Sequence, residues 1–119
     1  MKVLIVDDSG LVGERLMTLL DRVEGLELLP QAFDAAQASL AFGLHLPEVV
    51  LLDLHLPGET CLRLLREIKT RAPSTRAIVL TARPDQRYRK PCMDAGAEFF
   101  LWKGADIPRL VAILTELAG

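Results

Sequence analysis

Residues 49–58 read VVLLDLHLPG, and this stretch decides how the rest of the chain is interpreted. Four branched apolar residues, Val49–Leu52, run directly into Asp53, and a Pro57-Gly58 turn signal follows. A short apolar run with such boundaries predicts a strand that is buried on both faces of a parallel sheet. An aspartate at the C-terminal tip of that strand would face the crevice where open α/β sheets bind ligands. The pattern therefore predicts that Asp53 is the reacting group.

Short apolar runs on either side of this strand alternate with helical patterns. The second run contains Glu27 and ends at Pro30, which favours an edge position in the sheet. A repeated strand–helix unit predicts a parallel sheet with helices on both faces. We therefore predict a doubly wound α/β fold of the flavodoxin-like type, with five strands in the order 2-1-3-4-5. The other strands are predicted at Val3–Val6, Leu26–Leu29, Ala77–Leu80 and Phe99–Trp102.

The helices are predicted from apolar residues that recur at helical spacing. The helix expected over Asp85–Ala95 contains Pro91, which would remove a helical hydrogen bond and clash with the preceding turn. Two alternatives remain, a kinked helix or a loop up to Lys90 followed by a short helix from Pro91. The apolar stripes of the other helices are Val12, Leu16, Leu19, Leu20 and Val23; Phe33, Ala36, Leu40, Ala41 and Leu44; Cys61, Leu64, Leu65 and Ile68; and Ile107, Leu110, Val111, Leu114 and Leu117.

The bulk composition is that of one ordinary globular domain, residues 1–119, with no output domain expected in the chain. Apolar residues make up 50% and charged residues 25%, which excludes a disordered chain. The net charge of −2 predicts no direct binding to nucleic acid or membrane. The N-terminal apolar run is too short for a signal peptide, so a cytoplasmic protein is expected. Cys61 and Cys92 lack metal-ligand spacing and are predicted to be reduced packing thiols.

Polar side chains follow four of the five predicted strands. Asp7 and Asp8 follow the first strand, Asp53 the third, Thr81 the fourth and Lys103 the fifth. Taken singly, each has an ordinary interpretation, such as a helix cap for Asp8 or a turn for Thr81. Because parallel strands end at one edge of the sheet, we expect all five side chains to converge at one crevice.

Three converging carboxylates require a cation, since two unit charges about 4 Å apart repel by roughly 4 kcal/mol at an effective dielectric of 20. Oxygen ligands suit a hard ion that keeps several waters, which predicts Mg²⁺, with Mn²⁺ as a possible substitute. A metal beside Asp53, with Lys103 and Thr81 opposite, forms a cradle for a phosphoryl group. Phosphoryl transfer depends on positioning and charge neutralisation, and an aspartate can be the nucleophile.

These residues resemble a response-regulator receiver domain of two-component signalling, of the stand-alone, chemotaxis-regulator-like kind, and the resemblance covers the whole chain. The order and spacing of the motifs carry the resemblance, since any single one is weak. The matching pieces are Asp7-Asp8, Asp53-x-x-x-Pro57-Gly58, Thr81-Ala82, Ala95-Gly96-Ala97, Phe100 and Lys103.

The resemblance implies a phosphoacceptor site. Asp53 would accept a phosphoryl group from a sensor histidine kinase or a phosphotransfer protein. Asp8, Asp53 and the backbone carbonyl of His55 would bind Mg²⁺, and Asp7 would act through a metal-bound water. Lys103 would pair with the phosphoryl oxygens.

The resemblance also implies a conformational switch rather than a metabolic enzyme. Thr81 would move to hydrogen-bond the phosphoryl group and Phe100 would rotate inward behind it, changing the surface around the fourth helix, the fifth strand and the fifth helix. That surface would act on a downstream protein target, and a phosphorylation-linked homodimer is possible. His55 and Arg83 occupy positions that tune slow self-dephosphorylation in this family.

One departure from the family pattern, one residue of uncertain role and two rival interpretations remain. Gly104 stands where many family members have proline, so the usual cis peptide bond is not expected. Trp102, beside Lys103, is predicted to be a packing or interface residue, with burial in the core as the favoured interpretation. One rival is a degenerate receiver that binds proteins without phosphorylation. The other is a phosphatase of the haloacid dehalogenase type, which would require an aspartate at the position of His55.

Overall fold

The computed structural model describes residues 1–56, 60–83 and 85–119, so the predicted Pro57-Gly58 turn lies outside the described residues. Strands and helices alternate along these ranges, as the apolar runs predict. In chain order, the elements are β1 (Lys2–Val6), α1 (Gly10–Leu20), β2 (Glu27–Leu28), α2 (Ala35–His45), β3 (Val49–Asp53), α3 (Thr60–Arg71), β4 (Arg76–Thr81), a 3₁₀ turn (Gln86–Tyr88), α4 (Arg89–Asp94), β5 (Phe99–Trp102) and α5 (Ile107–Ala118).

All five strands are parallel and follow the order β2-β1-β3-β4-β5, which confirms the predicted flavodoxin-like topology. The register pairs Val6 with Leu52 and Asp53 with Leu80. Thr81, the last residue of β4, pairs with Trp102, the last residue of β5. The carboxyl ends of the four long strands therefore meet at one edge of the sheet. β2 is a two-residue edge strand, shorter than predicted.

The sheet separates two apolar layers, because successive strand residues point to opposite faces. In β1, Val3 and Ile5 belong to the layer under α1 and α5, whereas Leu4 and Val6 belong to the layer under α2, α3 and α4. Successive side chains of β3 and β4 also belong alternately to the two layers, so both faces of the sheet are covered. In the described part of the chain, no helix is long and apolar enough to cross a membrane.

The predicted apolar stripe of α2 is wrong. The helix buries Ala38 and Phe42, whereas Leu40 and Leu44 are 69% and 78% exposed. The sequence of α2, AAQASLAFGLH, has small or apolar residues on every side and no carboxylate, lysine or arginine. Spacing alone therefore could not select its buried face. The aromatic ring selects it, because Phe42 packs in the core with the Arg71 guanidinium 5.2 Å from its ring centre.

The stretch around Pro91 is close to the second predicted alternative. A 3₁₀ turn capped by Asp85 precedes α4, and α4 begins at Arg89, two residues before Pro91. Pro91 therefore lies in the first helical turn, where a backbone N–H has no partner within the helix and its loss is tolerated. The helix is only six residues long.

Candidate functional site

Three carboxylates meet at the carboxyl edge of the sheet. Asp7 and Asp8 follow β1, and Asp53 ends β3, so the pairing of Val6 with Leu52 brings the two strand ends side by side. One carboxylate oxygen from each aspartate lies within 4.8 Å of the others. Asp7 and Asp53 are only 3% and 5% exposed, whereas Asp8 is exposed. The predicted convergence of the three aspartates is present in the structure.

Lys103 provides positive charge beside this cluster. Its ammonium nitrogen lies 2.7 Å from Asp7 Oδ2 and 3.4 Å from Asp53 Oδ1. The backbone sets this position, because the Lys103 N–H donates to the Thr81 carbonyl oxygen at 2.8 Å and continues the β4–β5 ladder. One ammonium offsets only part of the formal charge of three carboxylates.

The environment of Asp53 disfavours its charged form. Burial raises the pKa of Asp53 above its ordinary value, and the negative charge of Asp7 acts in the same direction. The His55 backbone N–H, which donates to Asp53 Oδ1 at 3.1 Å, and the Lys103 ammonium oppose this rise in pKa without cancelling it. An added cation would therefore stabilise the charged form of this carboxylate.

Thr81 is fully buried, and its hydroxyl is already hydrogen-bonded. It donates to the Arg83 carbonyl oxygen at 2.6 Å and accepts from the Arg83 N–H at 3.2 Å. Its oxygen is also 3.0 Å from Nε2 of the exposed His55. The ordinary interpretation of Thr81 as a turn residue is therefore satisfied by this hydroxyl, and the predicted place of Thr81 in the crevice stays a prediction, because its side chain is buried behind the residues that line the cavity. The His55 side chain, which the sequence left without a specific contact, touches Thr81.

The described side chains enclose an open cavity of about 410 Å³ at this edge of the sheet. Three carboxylates and one ammonium contribute to its lining, together with the exposed residues His55 and Arg83. The lining residues are Asp7, Asp8, Ser9, Val12, Asp53, His55, Ala82, Arg83 and Lys103.

The donor set fits a hard divalent cation. Its side-chain ligands are carboxylate oxygens, which suit Mg²⁺ or Mn²⁺ better than a soft metal. A divalent ion would also balance the charge that Lys103 leaves uncompensated. Coordination through the His55 carbonyl and a water on Asp7 stays a prediction.

Phe100 and Thr81 lie on the same face of the sheet. By strand alternation, both side chains point toward α4, and Phe100 belongs to the apolar layer under that helix. Phe100 is 6% exposed, so its ring already lies inside this layer. The predicted inward rotation of Phe100 stays a prediction.

Trp102 is not in the core, contrary to expectation. It is 37% exposed, and its indole N–H donates to the Ala82 carbonyl oxygen at 3.2 Å. Its ring covers Gly104 so closely that a Cβ on Gly104 would lie 2.7 Å from a ring carbon. Glycine at position 104 therefore makes room for the indole, and no peptide bond among the described residues is cis.

One residue near the site, Gln31, has no signal in the sequence; it lies between β2 and α2. Its side-chain amide donates to the Asp7 carbonyl oxygen at 2.8 Å and to the Ser9 carbonyl oxygen at 3.0 Å. No spacing or motif singles out this glutamine, because its partners are backbone atoms of the loop between β1 and α1. Only the proximity of two loops in the folded chain identifies it.

Known proteins share this fold and this sequence pattern. The protein-family model of the response regulator receiver domain matches residues 3–115. The response regulator GacA of Pseudomonas aeruginosa is 32% identical over 117 residues, which cover 98% of this chain and 54% of that protein. A LuxR-family two-component response regulator from Aurantimonas sp. SI85-9A1 has a TM-score of 0.89 at 26% identity, covering 98% of this chain and 84% of that chain.

A response regulator protein from Burkholderia pseudomallei is also similar, with a TM-score of 0.84 at 26% identity. The match covers 98% of this chain and 68% of that one, and the crystal structure holds a phosphorylated aspartic acid, a calcium ion and citrate.

The chain therefore belongs to the response regulator receiver domain family, and the resemblance inferred from its motifs is confirmed. Members of this family are signalling switches of two-component systems, and receiver domains bind Mg²⁺ at an acidic pocket. The chain spans about half the length of the curated relatives it matches.

Proposed function

We propose that this chain is a phosphorylation-dependent switch in which Asp53 is the phosphoacceptor. The observation that carries the proposal is the buried carboxylate at the end of β3, which has the Lys103 ammonium at 3.4 Å and two further carboxylates within 4.8 Å. A buried nucleophile between a cation and a metal-binding cluster suits phosphoryl transfer. The phosphorylated aspartic acid in the Burkholderia pseudomallei relative supports the same chemistry here.

The phosphoryl donor is a phosphohistidine on a sensor histidine kinase or a phosphotransfer protein. An Asp53 oxygen forms a bond to phosphorus while the phosphorus–nitrogen bond breaks, and the electron pair of that bond leaves on the imidazole nitrogen. Lys103 stabilises the negative charge on the phosphoryl oxygens. Asp8, Asp53 and the backbone carbonyl of His55 would hold Mg²⁺ or Mn²⁺, with Asp7 acting through a water, and the ion would neutralise further charge on the phosphoryl group.

The switch begins at Thr81. Its hydroxyl exchanges the contacts with Arg83 and His55 for a phosphoryl oxygen, since a dianion is the stronger acceptor. Movement of Thr81 shifts the layer that holds Phe100 and thereby the surface formed by α4, β5 and α5. A downstream protein target reads that surface, with a phosphorylation-linked homodimer as one form of readout. The exposed residues His55 and Arg83 belong to the lining of the cavity and set how fast water removes the phosphoryl group.

Intact-mass spectrometry after incubation with acetyl phosphate and Mg²⁺ tests the phosphoacceptor. We expect the mass of one phosphoryl group on the wild type, and none on Asp53→Asn or on wild type treated with a chelator. The matched control is Asp21→Asn, which makes the same substitution at the exposed C-cap of α1 and is expected to be phosphorylated like the wild type. A wild type that gains no mass from acetyl phosphate or from a phosphorylated kinase would overturn the proposal in favour of a phosphorylation-independent binding module.

Tryptophan fluorescence tests the switch separately. Trp102 is the single tryptophan of the chain and its indole is hydrogen-bonded to Ala82, next to Thr81. Phosphorylation is therefore expected to change its emission, and Thr81→Val is expected to accept the phosphoryl group without that change. Equal emission changes in wild type and Thr81→Val would contradict the role given to the hydroxyl.

A further inference from the structure

We propose that Gln31 is a positioning residue that holds the Asp8 carboxylate in place and so sets the affinity of the site for Mg²⁺. The inference rests on the proposed function, because it concerns the same acidic cluster. It assigns a role to a residue outside the motifs that define the family resemblance.

The first observation is where the amide of Gln31 donates its hydrogens. Nε2 carries two N–H groups, and it lies 2.8 Å from the Asp7 carbonyl oxygen and 3.0 Å from the Ser9 carbonyl oxygen. These two carbonyls flank Asp8 in the chain. The side chain thus holds the Asp7–Asp8 peptide group and the Ser9–Gly10 peptide group, which lie before and after the most exposed of the three proposed ligands.

The second observation is that Gln31 itself is held firmly. Its neighbour Ala32 pairs with Val6 at the end of β1, where the Asp7 N–H donates to the Ala32 carbonyl oxygen at 3.0 Å and the Ala32 N–H donates to the Ile5 carbonyl oxygen at 2.9 Å. The backbone that carries the glutamine is therefore an extension of the sheet. Because its backbone is fixed in this way, the Gln31 side chain can hold the loop between β1 and α1 in place.

The third observation is a slot in α1 that the glutamine occupies. Gly13 is buried, and a Cβ at this position would lie 1.8 Å from Gln31 Oε1. No side chain larger than hydrogen is compatible with the present position of the amide. Gly13 and Gln31 therefore form one unit, in which the helix supplies the space and the glutamine fills it.

These contacts have a consequence for the metal. Mg²⁺ requires nearly ideal octahedral geometry, so a ligand that is free to move binds it less well than one held in place. Residues that orient metal ligands through hydrogen bonds commonly contribute about 10- to 100-fold in metal affinity. We expect a loss of Mg²⁺ affinity of that order when the two hydrogen bonds of Gln31 are removed.

The test compares two substitutions of the same kind by isothermal titration with Mg²⁺. Gln31→Met keeps the length of the side chain but removes both donors, and its Kd for Mg²⁺ is expected to rise by about tenfold or more. Gln37→Met is the control, because exposed Gln37 accepts from the Phe33 N–H and is not bonded to the loop after β1. Its Kd is expected to match that of the wild type. Equal Kd values for the two variants would overturn the inference.

A second pair of variants tests the slot. Gly13→Ala should displace the amide and weaken Mg²⁺ binding, whereas the same change in a Gln31→Ala background should add nothing, since the amide is already gone. Additive effects in this cycle would contradict the inference. Urea unfolding in a chelator verifies that each variant is folded.

The outcomes separate the inference from the proposed function. A wild type that is phosphorylated and binds Mg²⁺, with a Gln31→Met variant of unchanged Kd, leaves the phosphoacceptor in place and refutes the role of Gln31. A wild type that binds no Mg²⁺ refutes the proposed metal site, and the role of Gln31 falls with it.

Discussion

At the scale of single residues, the acidic cluster works against the stability of the fold. Asp53 is buried beside Asp7, and its raised pKa means that the folded state holds the proton more tightly than the unfolded state does. Stability therefore falls as the pH rises from the ordinary value of 3.8 through the raised pKa, and the loss is complete above it. Because the charged form of Asp53 is disfavoured, a cation that binds beside it stabilises the folded protein.

Removing this charge should stabilise the protein when no metal is present. We expect Asp53→Asn to unfold at a higher temperature than the wild type at neutral pH in a chelator, with the difference shrinking as the pH falls through the raised pKa and disappearing well below pH 3.8, where the wild-type carboxyl group is protonated in both states. Thermal unfolding followed by circular dichroism across this pH range measures the effect. Asp94→Asn, at an exposed pair with Lys90, is the control and is expected to change little. An Asp53→Asn variant less stable than the wild type at neutral pH would contradict this account.

At the scale of elements, the stretch after β4 is the most irregular part of the sheet's cover. It consists of a 3₁₀ turn at Gln86–Tyr88 and a six-residue helix, where a longer helix would otherwise fit. The exposed Arg87 and Lys90 pair with Asp85 and Asp94 on their own segment, so these charges act locally. Thr81 and Phe100 are therefore held by the strands of the sheet. The short helix α4 packs over Phe100.

Pro91→Ala distinguishes a first-turn proline from a kink in a longer helix. In the first turn the proline removes no helical hydrogen bond, so we expect a loss of less than about 1 kcal/mol in the free energy of unfolding, from the more flexible unfolded chain. Pro108→Ala, in the first turn of α5, is the matched control and should behave alike. A kinked continuous helix would instead gain up to about 3 kcal/mol from the alanine. Urea unfolding of the two variants decides between these outcomes.

At the scale of the whole molecule, the sheet divides the core into two layers, and each helix contributes through only one face. For α3 the face is unambiguous, because Cys61, Leu64, Leu65 and Ile68 are all buried. For α2 the apolar residues outnumber the places in the core, and Leu40 and Leu44 remain on the surface. Burial therefore depends on the orientation of a helix and not on the hydrophobicity of its residues alone.

Two leucine-to-alanine substitutions measure this difference. Leu65 is fully buried between α3 and the sheet, and Leu65→Ala is expected to cost about 2–5 kcal/mol in the free energy of unfolding. Leu44→Ala, the same change at a site that is 78% exposed, is expected to stay within about 0.5 kcal/mol of the wild type. Urea denaturation measures the free energy of unfolding of both variants. If Leu44→Ala lowered it as much as Leu65→Ala, the orientation of α2 described above would be wrong.

Sequence patterns are sufficient to predict the strand order, the convergence of the acidic strand ends with Lys103, and the family. These features follow from local patterns, since an apolar run predicts a buried strand and parallel strands end at one edge. Local patterns therefore suffice to bring Asp7, Asp8, Asp53 and Lys103 to one crevice, whereas the place of Thr81 beside them stays a prediction.

The contacts that join distant segments of the chain are visible only in the folded structure. Which face of α2 is buried, the exposed position of Trp102 over Gly104, the contact of His55 with Thr81 and the amide of Gln31 across Gly13 all depend on packing between elements. Such contacts have no spacing along the chain, because loops and helix faces that are far apart in sequence meet only once the sheet has set their positions.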